Sequence, residues 1–126
     1  MKTVGEIEAA TCQAMCRFEQ DYMGRGPQYT HAHLIGDLLV VRMQGVLTAA
    51  EKQLIGTLSA DKGRDLLKQV RTQLIETARP LLEPMIREIT GVNILSIHHD
   101  ISTQTGEELV VFTLAASVSV REKKPR

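Results

Sequence analysis

At 126 residues the chain has the length of one domain, and 43% hydrophobic with 24% charged residues is the composition of a folded protein rather than a disordered one. Fifteen Lys+Arg balance fifteen Asp+Glu and only 3% of residues are aromatic, which argues against a nucleic-acid footprint and against stacking platforms for single strands. No run approaches the roughly 20 apolar residues of a membrane span, two cysteines make no disulfide framework, and Met1–Glu6 lacks the apolar core of a signal peptide, so a cytoplasmic setting without direct membrane insertion is expected.

Thr3 to Met23 reads as a first helix. Thr3 and Glu6 have the spacing of a capping box, Val4, Ile7, Ala14, Phe18 and Tyr22 make an apolar face, and Gly24 stands where a left-handed stop is common. Cys12 and Cys16 lie mostly off that face, on a half-covered surface. Gly24-Arg25-Gly26-Pro27 is the sharpest local feature. It is a tight helix-to-strand turn, or a loop that aims Arg25 and backbone N–H groups at an anion.

Gln28–Ile35 alternates, with Tyr29, His31, His33 and Ile35 on one face. Gly36-Asp37 is a two-residue hairpin signal, and Leu38–Gln44 returns with Leu39, Val41 and Met43 together. Thr48 and Glu51 form a second capping box, opening a short helix to about Leu58. Ser59 or Asp61 then caps the longest stretch, Asp61–Thr90, whose apolar residues Leu67, Val70, Leu74, Ala78, Leu81, Leu82, Met85 and Ile89 follow helical spacing. As one helix it would run roughly 45 Å. Pro80 and Pro84 predict a bend over the sheet or, alternatively, a break near Arg79. Arg71 falls inside the apolar face, so it should find a carboxylate or reach the edge.

Val92–Ile101 reads as a third strand, with Leu95, Ile97 and His99 facing one way. Ser102–Gly106 is a turn, and Glu107 to about Val120 a fourth strand. The order α-β-β-α-α-β-β predicts an α+β, two-layer domain over residues 1–120: a four-stranded, mainly antiparallel sheet with helices packed on one face, followed by a charged, frayed tail over 121–126. The uncovered face or an edge is left for a partner or a second copy, and zero net charge favours a homodimer.

Chemistry is sparse. His98-His99-Asp100 is the most site-like run, but on a strand His99 points away from its neighbours; no metal and no cofactor is expected. The sequence has no nucleophile elbow, phosphate loop, zinc-protease motif or Cys-x-x-Cys, so no catalytic residue is assigned and the protein is expected not to be an enzyme. The candidate ligand-binding residues are Arg25, Gly26, Thr103 and Gly106, as donors to a small anion.

Four landmarks occur in order: Gly24-Arg25-Gly26-Pro27 after an amphipathic helix, the hairpin Leu34–Val41, the stretch Gly45–Glu51, and the ending Thr103–Leu114. Together they resemble the MpsC/YbcI-like family of small bacterial proteins over about Met1 to Leu114, with Arg25, Gly26, Pro27, Thr48, Glu51, Thr103 and Gly106 as matching positions. The resemblance implies a link to a sodium-translocating, membrane-potential-generating system and to membrane proteins of inorganic-carbon or cation uptake. Members look like soluble accessory components, which implies a membrane transporter subunit as partner and a place at the inner face of the membrane. It carries over no catalytic residues. A small-anion or metabolite sensor anchored by Arg25 is the rival expectation.

Overall fold

The computed structural model describes residues 1–57 and 59–122. Helix α1 (Val4–Phe18) begins at the predicted capping box: Thr3 Oγ1 accepts from the Glu6 N–H at 3.1 Å and Glu6 Oε1 from the Thr3 N–H at 2.9 Å. Its buried residues are Ile7, Thr11, Met15 and Phe18, whereas Val4 is exposed. Thr11 can occupy that face because its hydroxyl donates to the Ile7 carbonyl at 2.7 Å, hiding its polarity in the helix itself. The chain then widens into a π-helical turn, Glu19–Met23, before Gly24 at φ 92° stops it. Glu19, at the junction, continues the buried row of Ile7, Thr11 and Met15 into the interior.

Strands β1 (Tyr29–Ile35) and β2 (Leu38–Gln44) form the expected hairpin, with Ile35 opposite Leu38 around Gly36-Asp37. Helix α2 (Ala49–Thr57) starts at the second capping box. Its expected end at Leu58 lies outside the described residues.

The stretch expected as one helix is two, α3 (Ala60–Thr77) and α4 (Arg79–Thr90), so the break and not the bend is found. Ala78, with ψ near 0°, closes α3 on the Leu74 and Ile75 carbonyls. Pro80 follows in the first turn of α4, where its missing N–H removes no bond. Pro84 lies inside α4 on the exposed side, so solvent can reach the carbonyl it leaves unpaired.

Strand β3 (Ile94–Ile101) begins two residues later than expected, and β4 (Glu108–Leu114) ends well before Val120. β4 stops because its partners do: Thr113 faces the first residue of β2 and Leu114 the first of β3. A bulge between Ile94 and Ser96 inserts Leu95 as an unpaired residue and turns it outward at 61% exposure, away from the face it was expected to share with Ile97 and His99. The chain beyond β4 is held back against the start of α1. Arg121 N–H donates to the Lys2 carbonyl at 2.9 Å and its guanidinium reaches Glu6, so Arg121 is tied rather than frayed. Residues 123–126 of the expected tail lie outside the described residues.

The sheet is antiparallel throughout, in the order β1-β2-β4-β3. Leu39, Val41 and Met43 of β2 and Val110, Phe112 and Leu114 of β4 meet Met15, Phe18, Leu67, Ile75, Leu82 and Ile86 from the helices. Each such side chain contributes about 1.5–3 kcal/mol by leaving water. The architecture is α+β, with the helices on one face. Side chains meet both sheet edges, along β1 and at the start of β3. Along β1, Glu8 Oε2 accepts from the Leu34 N–H and the Cys12 and Cys16 thiols lie on Thr30. On β3, Arg79 Nη2 donates to the Leu95 carbonyl at 3.0 Å.

Candidate functional site

The residues singled out as anion donors are only partly brought together. Thr103 and Gly106 line a cleft of about 360 Å³ with Lys52, Gln28, Gly45 and Leu47. Three of the backbone donors here are already engaged: Thr105 N–H donates to Ser102 Oγ, Gly106 N–H to the Ser102 carbonyl and Glu107 N–H to Thr105 Oγ1. Arg25 stands behind the cleft wall, its Nε donating to the Gly45 carbonyl at 3.0 Å. Gly26 packs instead against Gln20 and the Cys16 carbonyl. The loop thus joins the end of the π turn to the end of β2.

The run His98-His99-Asp100 is dispersed. His98 reaches Ser96 on the open sheet face, Asp100 accepts from Lys68 Nζ at 2.7 Å, and His99 alone turns inward. His31 and His33 are exposed on the open face. Among the described residues, no three His, Cys, Asp or Glu side chains are arranged to hold a metal ion. Burial pushes the Cys12 thiol up, the opposite of what an activated nucleophile needs.

The polar chemistry of the molecule is concentrated elsewhere, beneath the cleft, around Arg71. Its place in the apolar face of α3 makes it fully buried, and it finds carboxylates as the sequence required. Nε and Nη2 grip Glu51 at 2.8 Å each, in a two-pronged pair; Nη2 also donates to the Val46 carbonyl at 3.0 Å, and Nη1 to Glu108 Oε2 at 2.7 Å. Glu51 serves twice, since Oε1 also accepts the Thr48 N–H that begins α2. Burial opposes its charge, but Arg71 and the Thr48 N–H hold its carboxyl below the usual range. The same carboxylates raise the Arg71 guanidinium further, against the effect of burial.

On the far side of Glu108, His99 Nε2 donates to Oε2 at 3.0 Å, and Nδ1 lies 3.2 Å from Thr72 Oγ1. Burial alone would raise the Glu108 carboxyl. The hydrogen bond from His99, the adjacent Glu19 carboxyl and the Arg71 charge lower it instead, to about 2. Glu19 approaches from the π turn, 4.0 Å from Arg71 Nη1 at its nearest. Burial and the adjacent Glu108 carboxylate push it up to about 10. The cluster therefore joins five elements: the π turn, α2, α3, β3 and β4.

Sequence reasoning found Arg71 and the cap role of Glu51 but missed Glu19, Glu108 and Thr72. A signal for Glu108 existed. It stands in register with Val110, Phe112 and Leu114 on the inward face of β4. A signal for Glu19 existed too: it continues the i+4 row of Ile7, Thr11 and Met15, one helical step beyond Met15.

Three comparisons bear on identity. A family model described as Na+-translocating membrane potential-generating system (MpsC) matches residues 3–116. "Uncharacterized protein YbcI" of Bacillus subtilis (strain 168) is similar at 34% identity over 113 residues, covering 90% of this chain and 89% of that protein. No solved structure matches. The match runs from the first capping box past the end of β4 and spans every residue of the buried cluster: the chain belongs to the MpsC family.

Proposed function

We propose that the protein is a non-enzymatic accessory or regulatory component of a membrane-potential-generating cation or bicarbonate uptake system. It works at the inner face of the membrane, through a membrane partner and as a homodimer. Family membership carries the link to a membrane-potential-generating system. No helix among the described residues is long and apolar enough to cross a membrane, so contact with such a system would run through a partner's surface. The polar cluster is structural in this reading: Arg71, Glu19 and Glu108 are fully buried, closed to a substrate.

The test is a pull-down of tagged protein from native membranes in mild detergent, followed by mass spectrometry. One enriched transporter subunit is the expected result. A deletion strain with normal membrane potential and normal growth on limiting inorganic carbon would contradict the proposal. If a small-anion screen stabilised the wild type but not Arg25→Ala, the sensor reading would displace it.

A further inference from the structure

Glu19 is an acid whose charge has little to stabilise it: Arg71 Nη1 stands 4.0 Å away and donates elsewhere. Glu19 is fully buried and neither carboxyl oxygen has a hydrogen-bond partner; Oε1 of Glu108, also fully buried, lacks one too. The facing groups are Glu51 from α2, Arg71 from α3, His99 from β3 and Glu108 from β4. Three carboxyls face one guanidinium and one imidazole. Arg71 is committed to Glu51, Glu108 and the Val46 carbonyl, and His99 engages Oε2 of Glu108. Two adjacent buried carboxylates repel, and neither can draw on water. One proton between them removes a charge and lets the O–H of one acid donate to the other's orphan oxygen.

We propose that Glu19 and Glu108 form a buried proton-binding site that holds one proton between their carboxyl groups in the folded chain. A divalent or alkali cation does not suit the same place. Such ions take about six or more oxygen ligands, whereas three orphan oxygens are present and a guanidinium faces them. Directions of titration agree: Glu19 is raised, chiefly by burial, and Glu108 is lowered by its partners. Glu19 is the first residue of the π turn that leads into Gly24 and Arg25. Loss of the proton to solvent sets two carboxylates against each other at that turn, so opening of Glu19–Met23 is linked to proton release.

The sign of the linkage follows. In the unfolded chain Glu19 ionises near its ordinary value of about 4.3, while in the folded chain it stays protonated far above that. Its contribution is therefore most favourable at acid pH and declines as pH rises toward about 10. Denaturant titrations of wild type and Glu19→Gln from about pH 6 to about pH 9 read this directly. The wild-type unfolding constant, divided by that of the variant, should grow about tenfold per pH unit. A ratio that stays constant overturns the proposal.

If Glu19→Gln does not fold, infrared spectra of wild-type protein carrying 13C-labelled glutamate give a second reading. A glutamic acid carbonyl band should persist at about pH 8, where an ordinary carboxyl is fully ionised. Full ionisation of every glutamate there overturns the proposal. So does a stability at that pH that follows the choice of sodium, potassium or choline as counter-ion with no acid band present, which would assign the site to a metal cation.

Discussion

Arg71 puts a full charge where the helix pattern asks for a leucine, and it is tolerated because four of its five N–H donors meet an acceptor on α2, β4 or the Val46 carbonyl. Such a pair contributes little net stability while intact, yet removing one member strands the others. Arg71→Met should destabilise the fold by about 3–5 kcal/mol, since it leaves Glu51 and Glu108 facing an apolar wall. Adding Glu108→Met should recover part of that loss rather than deepen it. Urea unfolding of the two single variants and the double closes the cycle, and simple additivity would show that the side chains are not coupled. At this scale the sequence was half legible. A charge at an apolar helix position announces a partner, but it does not say which carboxylate. Glu108 is hidden by a glutamate pair, Glu107-Glu108, of which one pairs with Arg42 outside and the other is buried. Glu19 continues the buried row of Ile7, Thr11 and Met15, but as a charge near the helix end it reads as solvated.

Helix α2 has no fully buried residue among those described, so it is held by its N-terminal cap, by Glu51 and by the half-buried Ile55 against the core. Thr48→Ala removes an N-cap oxygen and should cost about 1 kcal/mol. Glu51→Gln also breaks the two-pronged pair with Arg71 and should cost more. In amide exchange, either change should speed α2 well before α1, whose own cap is separate; equal acceleration of both would mean that α2 does not open independently. Both caps were readable, because a capping box is written in four consecutive residues. The break at Ala78 was harder to read, because the buried positions Leu67, Arg71, Ile75, Ala78, Leu82 and Ile86 keep helical spacing straight across it. Only Pro80 betrays the interruption. The bulge at Leu95 leaves no local mark at all, since it depends on how β3 registers against β4.

For the molecule as a whole, the surface left for a second copy is the sheet face opposite the helices. The β1 edge is covered by side chains from α1, and Arg79 of α4 caps the start of the β3 edge. On the open face the register lines up His33, Val40, Val111 and His98 across the four strands, flanked by the rows of Leu38 and Leu109. Its formal charges are matched within the chain: Arg42 pairs with Glu107 at 2.8 Å and Asp100 with Lys68 at 2.7 Å. A neutral face with an apolar centre presents no field to a charged partner, but it complements a copy of itself across a two-fold axis. Four strands about 4.8 Å apart and seven residues of about 3.3 Å give a projected area of about 440 Å². Side-chain relief raises that toward the roughly 600 Å² per partner of the smallest specific interfaces, so a reversible dimer is expected rather than a permanent one. Sedimentation across a concentration series should show monomer–dimer exchange. Val111→Lys, which sets a charge at the centre of the face without entering the core, should shift it to monomer by tenfold or more in dissociation constant. Leu81→Lys on the helical side, where Leu81 is already 57% exposed, should leave it unchanged. A wild-type protein that is monomeric at every concentration, or a dimer lost only with Leu81→Lys, would move the contact off the sheet.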